Sequence, residues 1–375
     1  MYVSIGKTFI LLIWLAVFSP ITALAGPGVT AAPILTVGGG ARAQALGDAF
    51  SAVSGDVTTS LWNPSGLARI SESDTYSEPK TTQAAMFYAH RADIFGEAGE
   101  GLYDAFFTGA RSLGNYGTIG ATIQIQGQGT TLVTTDSPTP EREVSLGTPF
   151  VFTLSYADRI TESLSAGING KVIRAVLERL GGFSYAVDMG MQYQLPFDLI
   201  PTTLGAAIQN IGPAIHYIDE NQSDPLPRLL RFGTSMELYR DNYNYVHFTS
   251  GITASIHKLT PDEVEVSGEL ERRNATNEEE QHTREQILSD WGVGIRALEW
   301  RHLQKHLGLE YWLGNILALR VGYHSAPGFP KIELSDYFTY GMGLQFKLYK
   351  FDLTFGPRLG PSSSRIAQAT MMVVF

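Results

Sequence analysis

Residues 119–128 read IGATIQIQGQ, and this stretch decides the fold. Ile119, Ala121, Ile123 and Ile125 take the odd positions, while Gly120, Thr122, Gln124, Gln126 and Gln128 take the even ones. Neighbouring side chains of a strand point to opposite faces, so the stretch is a strand with one apolar and one polar face. The same period of two runs through YAVDMGMQYQ (185–194) and FTYGMGLQFK (338–347). It recurs at 164–172, 230–238, 246–256, 307–313, 317–323 and 349–355. A soluble β-sandwich also alternates. Here, however, the polar face carries Gly, Ser, Thr, Gln and Asn rather than Lys and Glu, and aromatics gather near strand ends on the apolar face. That is the pattern of a transmembrane β-barrel whose outside meets lipid.

Working outward, strands are predicted near 83–94, 102–112, 117–130, 148–157, 163–177, 183–194, 202–211, 228–239, 243–257, 302–313, 316–327, 337–347, 349–357 and 365–375. The fold class is therefore all-β, an antiparallel transmembrane barrel of about fourteen strands, an even number as single-chain bacterial barrels have. Links after even-numbered strands are mostly tight, whereas 131–147, 212–227, 258–301 and 328–336 are long. Short periplasmic turns, long outer loops and both termini on the periplasmic side are expected from this asymmetry. Within 258–301, Val264–Leu270 and Trp291–Leu298 offer an additional hairpin.

The net charge of -10 argues against nucleic acid as a partner. It is concentrated: between Asp262 and Asp290 ten acidic residues face Arg272, Arg273 and Arg284, a balance of 3 - 10 = -7, which marks a solvated outer loop. The chain has no cysteine, so no disulfide framework holds it together. At the start, Lys7, the apolar run Phe9–Phe18, Pro20 and Ala23-Leu24-Ala25 before Gly26 read as a cleavable secretory signal over 1–25. At the end, the amphipathic strand 365–375 finishes on Phe375, a terminal aromatic like the one by which outer-membrane barrels are recognised for insertion.

The stretch 37–70, VGGGARAQALGDAFSAVSGDVTTSLWNPSGLARI, needs a separate account. Gly38, Gly40 and Ala43 fit a dinucleotide fingerprint, but no second buried parallel strand follows and no acidic residue closes a βαβ unit. Its small residues instead suit close backbone packing in a confined space. Asn63-Pro64 reads as an N-cap and first helical position, opening a short helix over 65–69. A plug over 26–78 and a barrel over 79–375 follow. The runs Gly40-Ala41-Arg42-Ala43, Leu46-Gly47-Asp48-Ala49-Phe50-Ser51-Ala52-Val53 and Trp62-Asn63-Pro64-Ser65-Gly66-Leu67-Ala68 resemble the N-terminal signature of the PorV/PorQ family, FadL-like outer-membrane proteins. Asn210-Ile211-Gly212-Pro213, Leu226-Pro227, Arg231-Phe232-Gly233, Gly308-Leu309-Glu310-Tyr311 and Leu319-Arg320-Val321-Gly322-Tyr323 extend the resemblance over most of the mature chain. The segment 262–290 and the long link 131–147 depart from it.

The resemblance implies a fourteen-stranded barrel with an N-terminal hatch in the lumen, its motif residues being Gly40, Arg42, Gly47, Asp48, Asn63, Pro64 and Gly66. It implies two functions: passage of hydrophobic molecules across the outer membrane, or docking of cargo for type IX secretion. A third reading is a purely structural outer-membrane scaffold. The partners are then outer-membrane lipid with either hydrophobic small molecules or secretion components and cargo. No catalytic motif is present, so no enzyme is expected, and no cofactor or metal. His302 and His306 have the zincin spacing without its glutamate or a third ligand. A three-residue loop Gly314-Asn315-Ile316 would pair Leu313 with Leu317 and set Glu310 opposite Arg320 on the lumen wall as a cross-strand ion pair.

Overall fold

The computed structural model describes residues 32–72, 81–90, 101–133, 142–177, 180–196, 199–216, 223–255, 303–325, 336–357 and 365–375. The secretory segment 1–25, the acidic segment 258–301 and His302 lie outside the described residues. The strands in chain order are β1 (Thr82–His90), β2 (Leu102–Ser112), β3 (Thr118–Gln128), β4 (Thr130–Val133), β5 (Arg142–Ser145), β6 (Phe150–Arg159), β7 (Leu164–Leu177), β8 (Leu180–Gln194), β9 (Thr202–Ile211), β10 (Ile215–His216), β11 (Ser223–Asp224), β12 (Leu229–Arg240), β13 (Tyr245–Ser255), β14 (Gln304–Leu313), β15 (Leu317–Ser325), β16 (Tyr337–Phe346), β17 (Tyr349–Pro357) and β18 (Arg365–Val374).

Fourteen of these strands form one closed barrel, in which each strand pairs antiparallel with its neighbours and β1 pairs β18 to close the ring. The other four make two ribbons within long links, β4 with β5 and β10 with β11. The links had no alternation long enough to reveal them. Among the described residues no helix is long and apolar enough to cross a membrane.

The polarity of the wall is inverted relative to a water-soluble sheet. In β3, Ile119 and Ile123 are 48% and 38% exposed, while Thr122 and Gln124 are at 2% and 9%. Large apolar side chains face outward around the ring, among them Phe107, Leu154, Tyr185, Phe232, Leu319 and Tyr340. Inward positions hold Thr108, Thr153, Asn169, Gln192, Gln209, Thr249 and Glu310, all buried. Only a hydrocarbon solvent makes that arrangement favourable. Accordingly, Val321→Arg at the middle of β15 should lower folding stability in lipid vesicles by about 2–4 kcal/mol. Denaturant titration measures it; an unchanged midpoint would mean that this face does not meet lipid.

Residues 33–72 occupy the interior. They comprise a 3₁₀ turn at Pro33–Leu35, a single helical turn at Ala41–Ala45 and 3₁₀ segments at Val57–Leu61 and Pro64–Glu72. Asn63 caps the last of these as expected, its Oδ1 accepting from the Ser65 amide at 3.1 Å, although the helix is 3₁₀ rather than α. Both barrel-closing strands meet at the tight-turn end, where the Thr82 amide donates to the Phe375 carbonyl at 2.8 Å. The first described residues lie at the opposite mouth: Ala32, Ile34 and Leu35 cluster with Val151, Ile173 and Leu226, beside the long links. Arg69 and Glu72 reach the tight turn, where Arg69 donates to the Glu162 carbonyl and Glu72 pairs with Arg159. The chain thus crosses the lumen from one mouth to the other before β1 begins. The expected mature start near Gly26 lies outside the described residues.

Candidate functional site

An irregular segment inside a barrel leaves backbone groups that need partners. Inward side chains supply them. Asn63 of the segment reaches the other way, its Nδ2 donating to the wall carbonyls of Met191 (3.1 Å) and Ala206 (3.3 Å) as well as to the Ser51 carbonyl (2.7 Å). Gln192 Nε2 donates to the Val53 carbonyl (2.8 Å), Gln209 Nε2 to Leu61 (3.0 Å) and Asn169 Nδ2 to Ser60 (2.9 Å). Gln83 serves three groups, donating to the carbonyls of Gly55 (2.9 Å) and Ile70 (3.3 Å) and accepting from the Val57 amide (3.0 Å). Thr370 Oγ1 accepts from the Ala41 amide at 2.8 Å, and Thr354 Oγ1 donates to its carbonyl. The amide-rich polar face read in the sequence therefore stands in for water around the segment.

Close approach completes the fit. A Cβ on Gly167 of β7 would lie 2.5 Å from the Pro64 carbonyl carbon, and one on Gly308 of β14 would lie 2.7 Å from the Leu46 carbonyl oxygen. Among the motif residues, Gly47 has φ +63° and its Cβ would sit 2.5 Å from the Tyr323 carbonyl oxygen, so only glycine fits there. Gly40, at φ +100°, precedes the helical turn, and a Cβ on Gly66 would fall 2.8 Å from the Thr59 side chain.

Charge concentrates at one locus. The register of β14 and β15 places Glu310 opposite Arg320, with Leu313 opposite Leu317. Arg320 Nε donates to Glu310 Oε2 at 2.6 Å, and Arg320 Nη1 to Asp352 Oδ1 of β17 at 2.6 Å. Arg42 of the segment completes the cluster, donating through Nε and Nη2 to both oxygens of Glu310 (3.0 and 2.7 Å) and through Nη1 to Asp56 (3.1 Å). Asp56–Arg42–Glu310–Arg320–Asp352 is thus a row of alternating charges, with Glu310 wholly buried at its centre. Burial alone would raise the Asp56 pKa. The Arg42 guanidinium and the Thr58 hydrogen bonds outweigh it and hold the carboxyl below its usual range. The sequence placed Glu310 and Arg320 together and named Arg42 only as a motif residue. A contact across 268 positions has no local signature, although an arginine among small apolar residues is itself a signal that a buried acid awaits it.

Two adjoining cavities of about 260 and 490 Å³ lie at the tight-turn side of this row and share Arg42, Ser54, Gln194 and Tyr245. Arg320, Lys350 and Asp352 line the smaller, and Glu237, Arg240 and His247 the larger. Their walls are polar. A mainly apolar hollow of about 450 Å³ lies among the outward residues Met191, Tyr193, Leu204, Phe232 and Ile252.

Comparison with known proteins supplies the context. The family model described as "Type IX secretion system protein PorV" matches residues 27–262. No curated protein matches the chain. Among solved structures, a Pseudomonas putida toluene transporter TodX is similar with a TM-score of 0.51 at 12% identity, over 94% of this chain and 98% of that one. Another structure of P. putida TodX gives 0.50 at 11% identity, over 90% and 96%. These likenesses concern the barrel fold.

Proposed function

The chain belongs to the family of the type IX secretion system protein PorV, and from that premise we propose that it acts in the bacterial outer membrane as a closed barrel that docks secreted cargo, with residues 33–72 as its hatch. One observation carries this choice over an open conduit. Among the described residues, a segment bonded to β1, β7, β8, β9, β14, β17 and β18 occupies the lumen, and the cavities of about 260 and 490 Å³ beside it are lined by charged and polar groups. A path for hydrophobic molecules needs apolar walls, and the apolar hollow lies on the outer face. Passage of hydrophobic molecules is the second reading. It is favoured by the apolar cluster of Ile34, Leu35, Val151, Ile173, Ile215 and Leu226 at the long-link mouth.

Two measurements separate the readings. In planar bilayers the full-length protein should hold no open channel, and deletion of residues 33–72 should open a large one. A wild-type channel of equal conductance would remove the hatch from the account. Pull-down from solubilised outer membranes should recover type IX secretion components or cargo. Recovery of bound lipid or hydrocarbon without them would favour the passage reading.

A further inference from the structure

A second cluster stands apart from the charge row, where the segment meets β14 and β15. Gly47 and Asp48 are both left-handed, with φ +63° and +67°, and turn the Gly47 carbonyl and the Asp48 carboxylate toward the wall. His306 of β14 faces His324 of β15 in register, their ring centroids 4.7 Å apart. One donor atom from each of Asp48, His306 and His324 lies within 4.8 Å of the other two. Asp48 Oδ2 is 3.2 Å from His324 Nδ1, yet Asp48 Oδ1 and His324 Nδ1 are buried with no hydrogen-bond partner. His306 Nε2 lies 3.0 Å from Thr253 Oγ1, and its Nδ1 lies 2.9 Å from the Gly47 carbonyl oxygen. Arg231 Nη1 also donates to Thr253 Oγ1, at 3.1 Å. With Nδ1–H donating to the Gly47 carbonyl and Thr253 Oγ1 donating to Nε2, both ring nitrogens are satisfied, and an ion bound between Nδ1 and the Gly47 oxygen would take the place of that proton.

We propose that Asp48, His306 and His324, with the Gly47 carbonyl, form a binding site for a divalent transition-metal ion of the zinc class that fastens the N-terminal segment to the barrel wall. Two imidazoles exclude the all-oxygen shells that calcium and magnesium take. With bonds of about 2.0–2.1 Å in a tetrahedron, donor atoms stand roughly 3.3 Å apart. The Asp48–His324 and His306–Gly47 separations already lie near that figure, so ligation requires the two pairs to draw together. Sequence spacing had joined His306 to His302 and expected no metal. The partner is instead the histidine across the ladder, and the carboxylate comes from the segment. The side chain of Asp48 retains 22% exposure, which gives an ion a way in.

The test uses full-length protein in detergent, stripped with a chelator and titrated with Zn²⁺ and separately with Co²⁺, whose visible bands report nitrogen and oxygen ligands. The expected result is one ion per chain and a higher unfolding temperature when loaded. Asp48→Asn and His324→Gln should each weaken uptake by more than about tenfold, while the metal-free variants unfold where the metal-free wild type does. If one variant does not fold, the other still decides. No uptake by the wild type, or uptake equal in wild type and folded variant, overturns the proposal.

Discussion

Replacing Glu310 with glutamine should destabilise the protein by about 3–5 kcal/mol, the penalty for breaking a buried ion pair from one side. Glu310 accepts from two guanidinium groups, and both are left facing a neutral amide when its charge is removed. Arg320 retains Asp352, and Arg42 retains Asp56. The loss therefore falls on the link between segment and wall rather than on the ring. Denaturant titration should show the midpoint falling, with protease cutting inside 33–72 under conditions that leave the strands intact. Replacing Arg42, Glu310 and Arg320 together by methionine should not recover the loss, because it leaves the buried carboxylates of Asp56 and Asp352 without their guanidinium partners. A Glu310→Gln variant as stable as the wild type would mean that water already screens the row.

The other large effect is expected from a single methyl group. Gly322 of β15 faces the segment so closely that a Cβ would meet the Gly47 amide and stand 2.6 Å from the Leu46 carbonyl carbon. These are backbone atoms, which cannot swing aside as a side chain can. Within the wall the Cβ would meet the Thr339 hydroxyl of β16, a side-chain end that can rotate away, while the ladder bonds are made by the backbone. Gly322→Ala should therefore leave a folded, heat-resistant barrel while expelling the segment, read as a rise in conductance and new protease cleavage in 33–72. Gly170→Ala is the control, because nothing lies within 4 Å of its Cβ position. A closed and protected Gly322→Ala protein would show that the segment adapts, and the close-packing account would fail.

The wall was legible because its information is local. Alternation in 119–128, 185–194 and 338–347 states which residue faces lipid, and a one-residue slip would invert every face. That constraint selected the three-residue loop after Leu313 and with it the Glu310–Arg320 register. The interior was less legible. Glycines and alanines at 37–52 announce tight packing but not against what. Arg42 finds Glu310, and His306 finds Asp48, across separations where no periodicity operates. The direction in which the segment crosses the lumen was hidden for the same reason, being set by contacts such as Leu35 with the β6–β7 end of the barrel.

The seam between β1 and β18 has a consequence for the order of assembly. Gln83 pairs with Val374, so the ring is shut by residues 374 - 83 = 291 positions apart, whereas every other pairing joins strands near in sequence. The segment holds both edges of that seam, through Gln83 on β1 and Thr370 on β18. Closing so long a loop is the least local event in the chain and the slowest to be rewarded by contacts. The segment, bonded to both edges, is placed to hold them together once the ring is shut. Nascent protein that has made its hairpins but lacks the segment should therefore linger as an open sheet with two unsatisfied edges, the state most exposed to wrong partners during insertion.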